Sequence, residues 1–162
     1  MGQSLASSGV ASVEDMTALG ERMAQMLDDA GDAAPLVLGV RGELGAGKST
    51  LLRGMLRGLG VEGAVPSPTY TLVEPYEARG RFLLHVDLYR LSDAGEAEFL
   101  GLWDTDQQAS LIAVEWPERY PALLRAADIV VDIEYASPGR RVTLTPGTAR
   151  GGRALARILP LP

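Results

Sequence analysis

The eight residues Gly42, Glu43, Leu44, Gly45, Ala46, Gly47, Lys48 and Ser49 fit the pattern G-x-x-x-x-G-K-[ST], and Thr50 follows directly. Their chemistry is that of a polyphosphate cradle. Glycines let the backbone turn tightly so that successive N–H groups converge, and a helix opening at Lys48 adds the positive end of its dipole. Lys48 would neutralise terminal phosphates, and the Ser49 hydroxyl would sit on a magnesium ion that bridges phosphate oxygens. The expected ligand is a nucleoside triphosphate with its metal, ATP and Mg2+. A glycine-rich turn with an exposed lysine matches the same pattern, so the flanking elements decide between the two.

Two carboxylates, Asp87 and Glu115, each close an apolar stretch (residues 82–87 and 111–115). In open α/β sheets ligands collect at the carboxyl ends of strands, so both acids would face the crevice that the loop lines. One would hold the metal, directly or through water, and the other would orient or deprotonate an attacking water. The residues alone do not assign these jobs, and each acid also reads as an ordinary strand-end charge or cap. Thr69 and Thr71 lie in a proline-stiffened segment, where a hydroxyl could sense the γ-phosphate and its metal or simply suit an edge strand. His85, the only histidine, reads as a hydrogen-bonded packing residue. Trp116 could stack on a base or fill core, and Arg90 could neutralise phosphate or pair with an acid.

Positioning these groups requires a strand before the loop and a helix after it. Residues 36–40 are a continuous apolar run suited to a buried parallel strand, introduced by Pro35. Leu51, Leu52, Met55, Leu56 and Leu59 then recur at helical spacing, with Gly60 as a stop. Upstream, Ser12, Val13, Glu14 and Asp15 read as a capping box. The helix it opens carries Val13, Met16, Leu19 or Gly20, Met23 and Met26 or Leu27 on one face and closes at Gly31. Residues 66–76 read as an extended edge segment, turned back around Gly80 into the strand ending at Asp87. Ser92 would cap a helix over 93–102, and Pro117 would open one over 118–126. Residues 128–135 and 141–145 read as an antiparallel hairpin. Residues 1–11 look unstructured, 12–146 form one domain, and 147–162 are a basic, glycine- and proline-rich tail of undetermined order.

The chain has 162 residues, enough for one domain with a substantial core and too few for two ordinary ones. With 46% hydrophobic and 22% charged residues, it has the composition of an ordinary globular α/β protein. No apolar stretch approaches the ~18 residues of a membrane span, and the start lacks a signal peptide's pattern, so a cytoplasmic protein without a membrane partner is expected. Absence of cysteine removes thiolate metal sites, disulfides and cysteine nucleophiles. A net charge of −6 works against a broad surface for nucleic acid, so direct tight binding of RNA or DNA is not expected.

Taken in order, the loop, then Ser67-Pro68-Thr69-Tyr70-Thr71-Leu72-Val73-Glu74-Pro75-Tyr76, then His85-Val86-Asp87-Leu88-Tyr89-Arg90-Leu91, then Val114-Glu115-Trp116-Pro117-Glu118 resemble the TsaE family of bacterial ATPases of tRNA modification. The loop is shared by many nucleotide-binding proteins, whereas the other three segments in this order are distinctive. The resemblance runs from about the first helix to the hairpin and leaves the tail outside. It implies an α/β protein of the P-loop NTPase fold: a mostly parallel central sheet flanked by helices, with antiparallel strands at the edge. It further implies a cytoplasmic partner of TsaB and TsaD in making threonylcarbamoyladenosine beside the anticodon, with tRNA reached only through that complex. Lys48 would then contact phosphate, Ser49, Asp87 and Glu115 the metal, and Lys48, Asp87 and Glu115 would serve hydrolysis. Trp116 and the 67–73 loop, with Thr69, would answer to the nucleotide state and help at the partner surface. Ser49 replaces the family's more frequent threonine and keeps the hydroxyl, and Met16 stands where many members have a threonine near the nucleotide.

Two other readings compete. A small-molecule kinase carries the same loop and needs an acceptor pocket and an arginine-bearing lid, for which Arg119, Arg125, Arg140 and Arg141 are the available residues. No lid insertion is evident. A binding module that hardly hydrolyses ATP alone overlaps with the first reading.

Overall fold

In the computed structural model, residues 6–27, 34–68, 71–98, 101 and 109–162 are described. Seven strands form one sheet: β1 (Ala6–Val10), β2 (Leu36–Gly42), β3 (Val73–Ala78), β4 (Arg81–Asp87), β5 (Ala109–Glu115), β6 (Ile129–Tyr135) and β7 (Arg140–Pro146). Their spatial order is β1-β7-β6-β2-β5-β4-β3. The four central strands β6, β2, β5 and β4 are mutually parallel, whereas β3 and the β7–β1 pair are antiparallel additions at the two edges. The parallel character expected of the sheet thus belongs to its centre, and half of the strand pairings are antiparallel.

The helices are α1 (Val13–Met23), α2 (Lys48–Gly58), α3 (Ala94–Glu98), α4 (Pro121–Ala126) and α5 (Ala149–Ala156), with 3-10 turns at Ala24–Leu27 and Pro117–Arg119. Strand alternation divides the core. Leu38, Val40, Leu83, Leu111, Ala113, Ile129 and Val131 join Met16, Leu19, Met23, Leu51, Leu52 and Met55 in one cluster. Val37, Leu84, Val86, Ile112 and Val114 meet Leu123 and Ala127 in the other. The central strands are buried on both faces, which is why they read as unbroken apolar runs.

α1 begins as the capping box predicts, Ser12 accepting from the Asp15 N–H at 3.1 Å. Its closest approach to α2 is made by glycines: a Cβ at Gly20 would run into the Leu51 carbonyl, and one at Gly54 into the Thr17 carbonyl. Val13, expected on the buried face, is 67% exposed. Gly31 and most of the second half of the 93–102 helix lie outside the described residues. α3 is short, with Asp93 Oδ1 accepting from the Glu96 N–H at 3.0 Å. The helix expected over 118–126 is a 3-10 turn followed by α4, because Pro121 lacks the N–H that would continue it.

The N-terminal end differs from expectation, and the C-terminal end, whose order the sequence left open, carries a helix. Ala6–Val10 of the segment read as unstructured pairs with β7 along five register positions. The basic tail forms α5, capped by Thr148, which accepts from the Gly151 N–H at 3.0 Å. Arginines hold that end in place through backbone carbonyls: Arg150 donates to Pro35 O at 2.7 Å, Arg157 to Met26 O at 2.9 Å, and Arg22 to Ile158 O at 3.0 Å. Leu155 and Ile158 are buried.

Candidate functional site

β2 delivers the chain into the loop and α2 leaves it at Lys48, so the expected strand–turn–helix order holds. Gly47 at the helix N-cap has φ +114, a conformation reserved for glycine, and no side chain caps the helix. The first N–H groups of α2 therefore face outward with a positive dipole end, as anion binding requires. Two residues of the hairpin brace the loop from outside. Tyr135 donates its hydroxyl to Leu44 O at 3.1 Å, and Arg140 donates to Ala46 O at 3.2 Å while stacking on the Tyr135 ring at 4.1 Å.

Lys48 is 5% exposed and folds back over the loop, donating to Gly42 O at 2.6 Å and Glu43 O at 2.9 Å. Its ammonium also sits 4.4 Å above the centre of the Trp116 ring. Burial pushes its pKa below the ordinary lysine value, opposed by the charges of Glu115, Asp87 and Glu118. An arriving phosphate would offer this cation stronger acceptors than two neutral carbonyls.

Asp87 and Glu115 are register partners at the carboxyl ends of β4 and β5, and both are buried. The Ser49 hydroxyl lies 2.8 and 3.0 Å from the two oxygens of Glu115 and 3.5 Å from the Ser67 hydroxyl. Asp87 Oδ1 accepts the Tyr89 N–H at 2.9 Å, which bends the chain so that the Tyr89 ring meets Trp116 at 5.1 Å. A cavity of about 280 Å³ joins Leu44, Lys48, Ser49, Asp87, Glu115 and Trp116. Trp116 thus borders the site while packing partly against the core, held at φ +58 as its N–H donates to Val40 O at 3.3 Å. A second cavity, of about 300 Å³, lies across the loop between Ala46, Gly47 and Thr50 on one side and Val10, Ser12, Met16 and Arg140 on the other.

Among the described residues no three or more His, Cys, Asp or Glu side chains form a ready-made cation cage. The donors that converge here are one hydroxyl and two carboxylates, all hard oxygens. Such a sparse set suits magnesium, which takes one or two carboxylates and completes its shell with phosphate and water. Thr69 lies outside the described residues. Thr71 donates to Glu74 Oε1 at 2.9 Å, a local turn contact. Of the arginines considered for a lid, Arg140 braces the loop, Arg119 lies 5.8 Å over the Tyr89 ring, and Arg125 and Arg141 are exposed on α4 and β7.

Sequence reasoning left aside Tyr135, considered Arg140 only for a lid, and read His85 as a hydrogen-bonded packing residue, which it is, without linking it to Glu115. The His85 Nε2 lies 2.8 Å from Glu115 Oε2. A signal for His85 existed: the two-residue period of β4 puts it on the same face as Asp87.

Fold and site together define a single-sheet α/β protein with a glycine loop opening a helix beside two strand-end carboxylates. The family model for the threonylcarbamoyl adenosine biosynthesis protein TsaE matches residues 10–142, and the chain belongs to that family. The tRNA threonylcarbamoyladenosine biosynthesis protein TsaE of Haemophilus influenzae is 42% identical over 84% of this chain and 86% of its own length. The protein of the same name from Aquifex aeolicus is 38% identical over 80% and 87%. The crystal structure of YdiB from Bacillus subtilis superposes with a TM-score of 0.72 over 98% of this chain and 96% of that one, at 23% identity, and so shares the fold.

Proposed function

We propose that this protein binds Mg-ATP in the Gly42–Ser49 loop and hydrolyses it in support of tRNA threonylcarbamoyladenosine synthesis, acting in the cytoplasm with TsaB and TsaD. The observation that carries this reading is the contact of Ser49 with Glu115 at 2.8 Å, which joins the first turn of α2 to the end of β5. A ligand needing both a phosphate cradle and a carboxylate would use both sides of that junction. The cavity beside Lys48 and Trp116 takes the terminal phosphates, and the one beside Thr50 and Met16 takes the nucleoside.

Lys48 leaves the loop carbonyls for the β- and γ-phosphates. Ser49 and Asp87 are the groups that would hold magnesium, which supplies charge neutralisation on the transferring phosphoryl group. Glu115 orients the attacking water and accepts its proton. Trp116 covers Lys48 and so feels whether the lysine is engaged. The names of the relatives support the pathway, and tRNA is met only through the partners, consistent with a net charge of −6.

The test is ATP turnover by the chain alone and with TsaB and TsaD. Lys48→Ala should weaken nucleotide binding roughly 10–100-fold, the worth of a charge-assisted hydrogen bond. Glu115→Gln should leave binding nearly intact and slow turnover roughly 100–10,000-fold, the range of a general base. Stimulated turnover that survives in both variants, or phosphate passed to a metabolite instead of water, would replace this reading.

A further inference from the structure

His85 is fully buried within β4, and among the described residues its one polar contact is the 2.8 Å approach of Nε2 to Glu115 Oε2. Its other ring nitrogen, Nδ1, is buried without a hydrogen-bond partner among the described residues. An ionised carboxylate only accepts, so the nitrogen facing it carries the hydrogen and Nδ1 is left unsatisfied in the core. That arrangement costs stability, because an unpaired buried polar atom loses its hydration for nothing. An apolar side chain would suit that face better: His85 stands in register with Ala113 on β5 and Glu74 on β3, on the same face as the buried Leu83. A group that the core would reject on packing grounds, yet that meets the site's carboxylate, points to a role in the site.

Resting on the ATPase reading above, we infer that His85 is the positioning residue that fixes the Glu115 carboxylate for hydrolysis. Two protein side chains hold that carboxylate, Ser49 and His85. The Ser49 hydroxyl would also offer its oxygen to the metal, so its hold on Glu115 is tied to metal binding. His85 has no competing ligand. Its N–H pins Oε2, which leaves Oε1 to the Ser49 hydroxyl at 2.8 Å, beside the cavity that Glu115, Asp87 and Lys48 line. Without the histidine, Glu115 is left to Ser49 alone and gains rotamer freedom, and a misplaced base is a slow one.

The chain contains one histidine, so its ring is a clean probe. The experiment combines 15N spectra of the tag-free full-length protein with kcat, KM and melting temperature for wild type, His85→Leu, His85→Gln and His85→Asn, each assayed with TsaB and TsaD. Hydrogen on Nε2, with a resonance that moves in Glu115→Gln, is expected. A ring carrying hydrogen on Nδ1 alone would overturn the inference without any turnover being measured. His85→Leu should melt no lower than wild type, keep KM within about threefold, and lose about 10–100-fold in kcat, the usual cost of removing a group that orients a site ligand. Glutamine's amide reaches the place of Nε2 and should restore most of the rate, whereas asparagine's stops near Nδ1 and should not. Wild-type kcat in His85→Leu beside a dead Glu115→Gln would sink the positioning role alone. Full turnover in Glu115→Gln would instead sink the general-base role of Glu115, and full turnover in Lys48→Ala as well would sink the ATPase reading on which both rest.

Discussion

At the scale of single residues, the site is built from groups kept in costly positions. Lys48 is buried and its pKa depressed by that burial, and its hydrogen bonds go to loop carbonyls that a phosphate can replace. Such a lysine is primed for an anion, because binding repays desolvation already incurred. Tyr76 offers a contrast away from the site. Its hydroxyl on β3 is buried with no partner, and burial, then the charge of Glu74, raises its pKa. Nothing in the proposed chemistry uses that hydroxyl, so Tyr76→Phe should stabilise the protein by about 1 kcal/mol. The sign with pH follows from the raised value. Above about pH 10 the unfolded chain gives up this proton while the folded chain keeps it, so native stability falls with rising pH. Tyr76→Phe should remove that share of the alkaline loss. Chemical denaturation at pH 7 and pH 10.5 checks both statements, and a variant less stable than wild type at pH 7 would show that the hydroxyl has a partner after all.

At the scale of elements, α1 and α2 pack against each other through glycines. Gly54 faces the Thr17 carbonyl with no room for a methyl group. Gly54→Ala should therefore push the two helices apart and cost about 1–3 kcal/mol, the usual penalty of overpacking. Gly152 in α5 has nothing within 4 Å of where its Cβ would lie. There the same substitution should stabilise by about 0.5–1 kcal/mol through helix propensity. Thermal melts of the two variants should move in opposite directions, and a shared direction would refute the packing account. The sequence made β2, α1, α2, β4 and β5 legible because each combines a clear period with a cap or stop. β1 was not legible: Ala6, Ser8 and Gly9 carry no strand propensity, and Ser8 faces inward only because its hydroxyl finds Pro162 O at 2.7 Å. α5 was hidden likewise, since its two consecutive glycines argue against a helix and its docking depends on distant carbonyls. Of the site, the loop and both strand-end acids were legible from motif and strand position. The braces Tyr135 and Arg140 were not, because contacts about 90 residues apart in sequence have no local signature.

At the scale of the whole molecule, the two halves of the sheet, running from β2 toward its opposite edges, frame the loop from opposite sides. On one side β4 and β5 present Asp87 and Glu115. On the other, β7 carries Arg140 to the loop and β1 covers β7, bringing Val10 and Ala11 to the second cavity opposite Gly47 and Thr50. The proposed phosphate and nucleoside parts of the site thus depend on different halves of the sheet, and they can be separated. Deleting residues 1–10 leaves Lys48, Ser49 and Glu115 untouched but strips a wall from the nucleoside cavity and opens the edge of β7. The loss of Val10 alone, 4% exposed, removes about 1.5–3 kcal/mol of burial, so the truncated chain should melt lower. Its ATP affinity should fall about tenfold or more, since one buried apolar contact of ~1.4 kcal/mol is worth that factor. Its affinity for inorganic tripolyphosphate, which needs only the loop and metal, should stay within about twofold of the full chain. Calorimetric titrations of both ligands against both chains make the comparison. An equal fall for ATP and tripolyphosphate would mean that β1 supports the loop as a whole, and the division of the site between the two halves of the sheet would have to be abandoned.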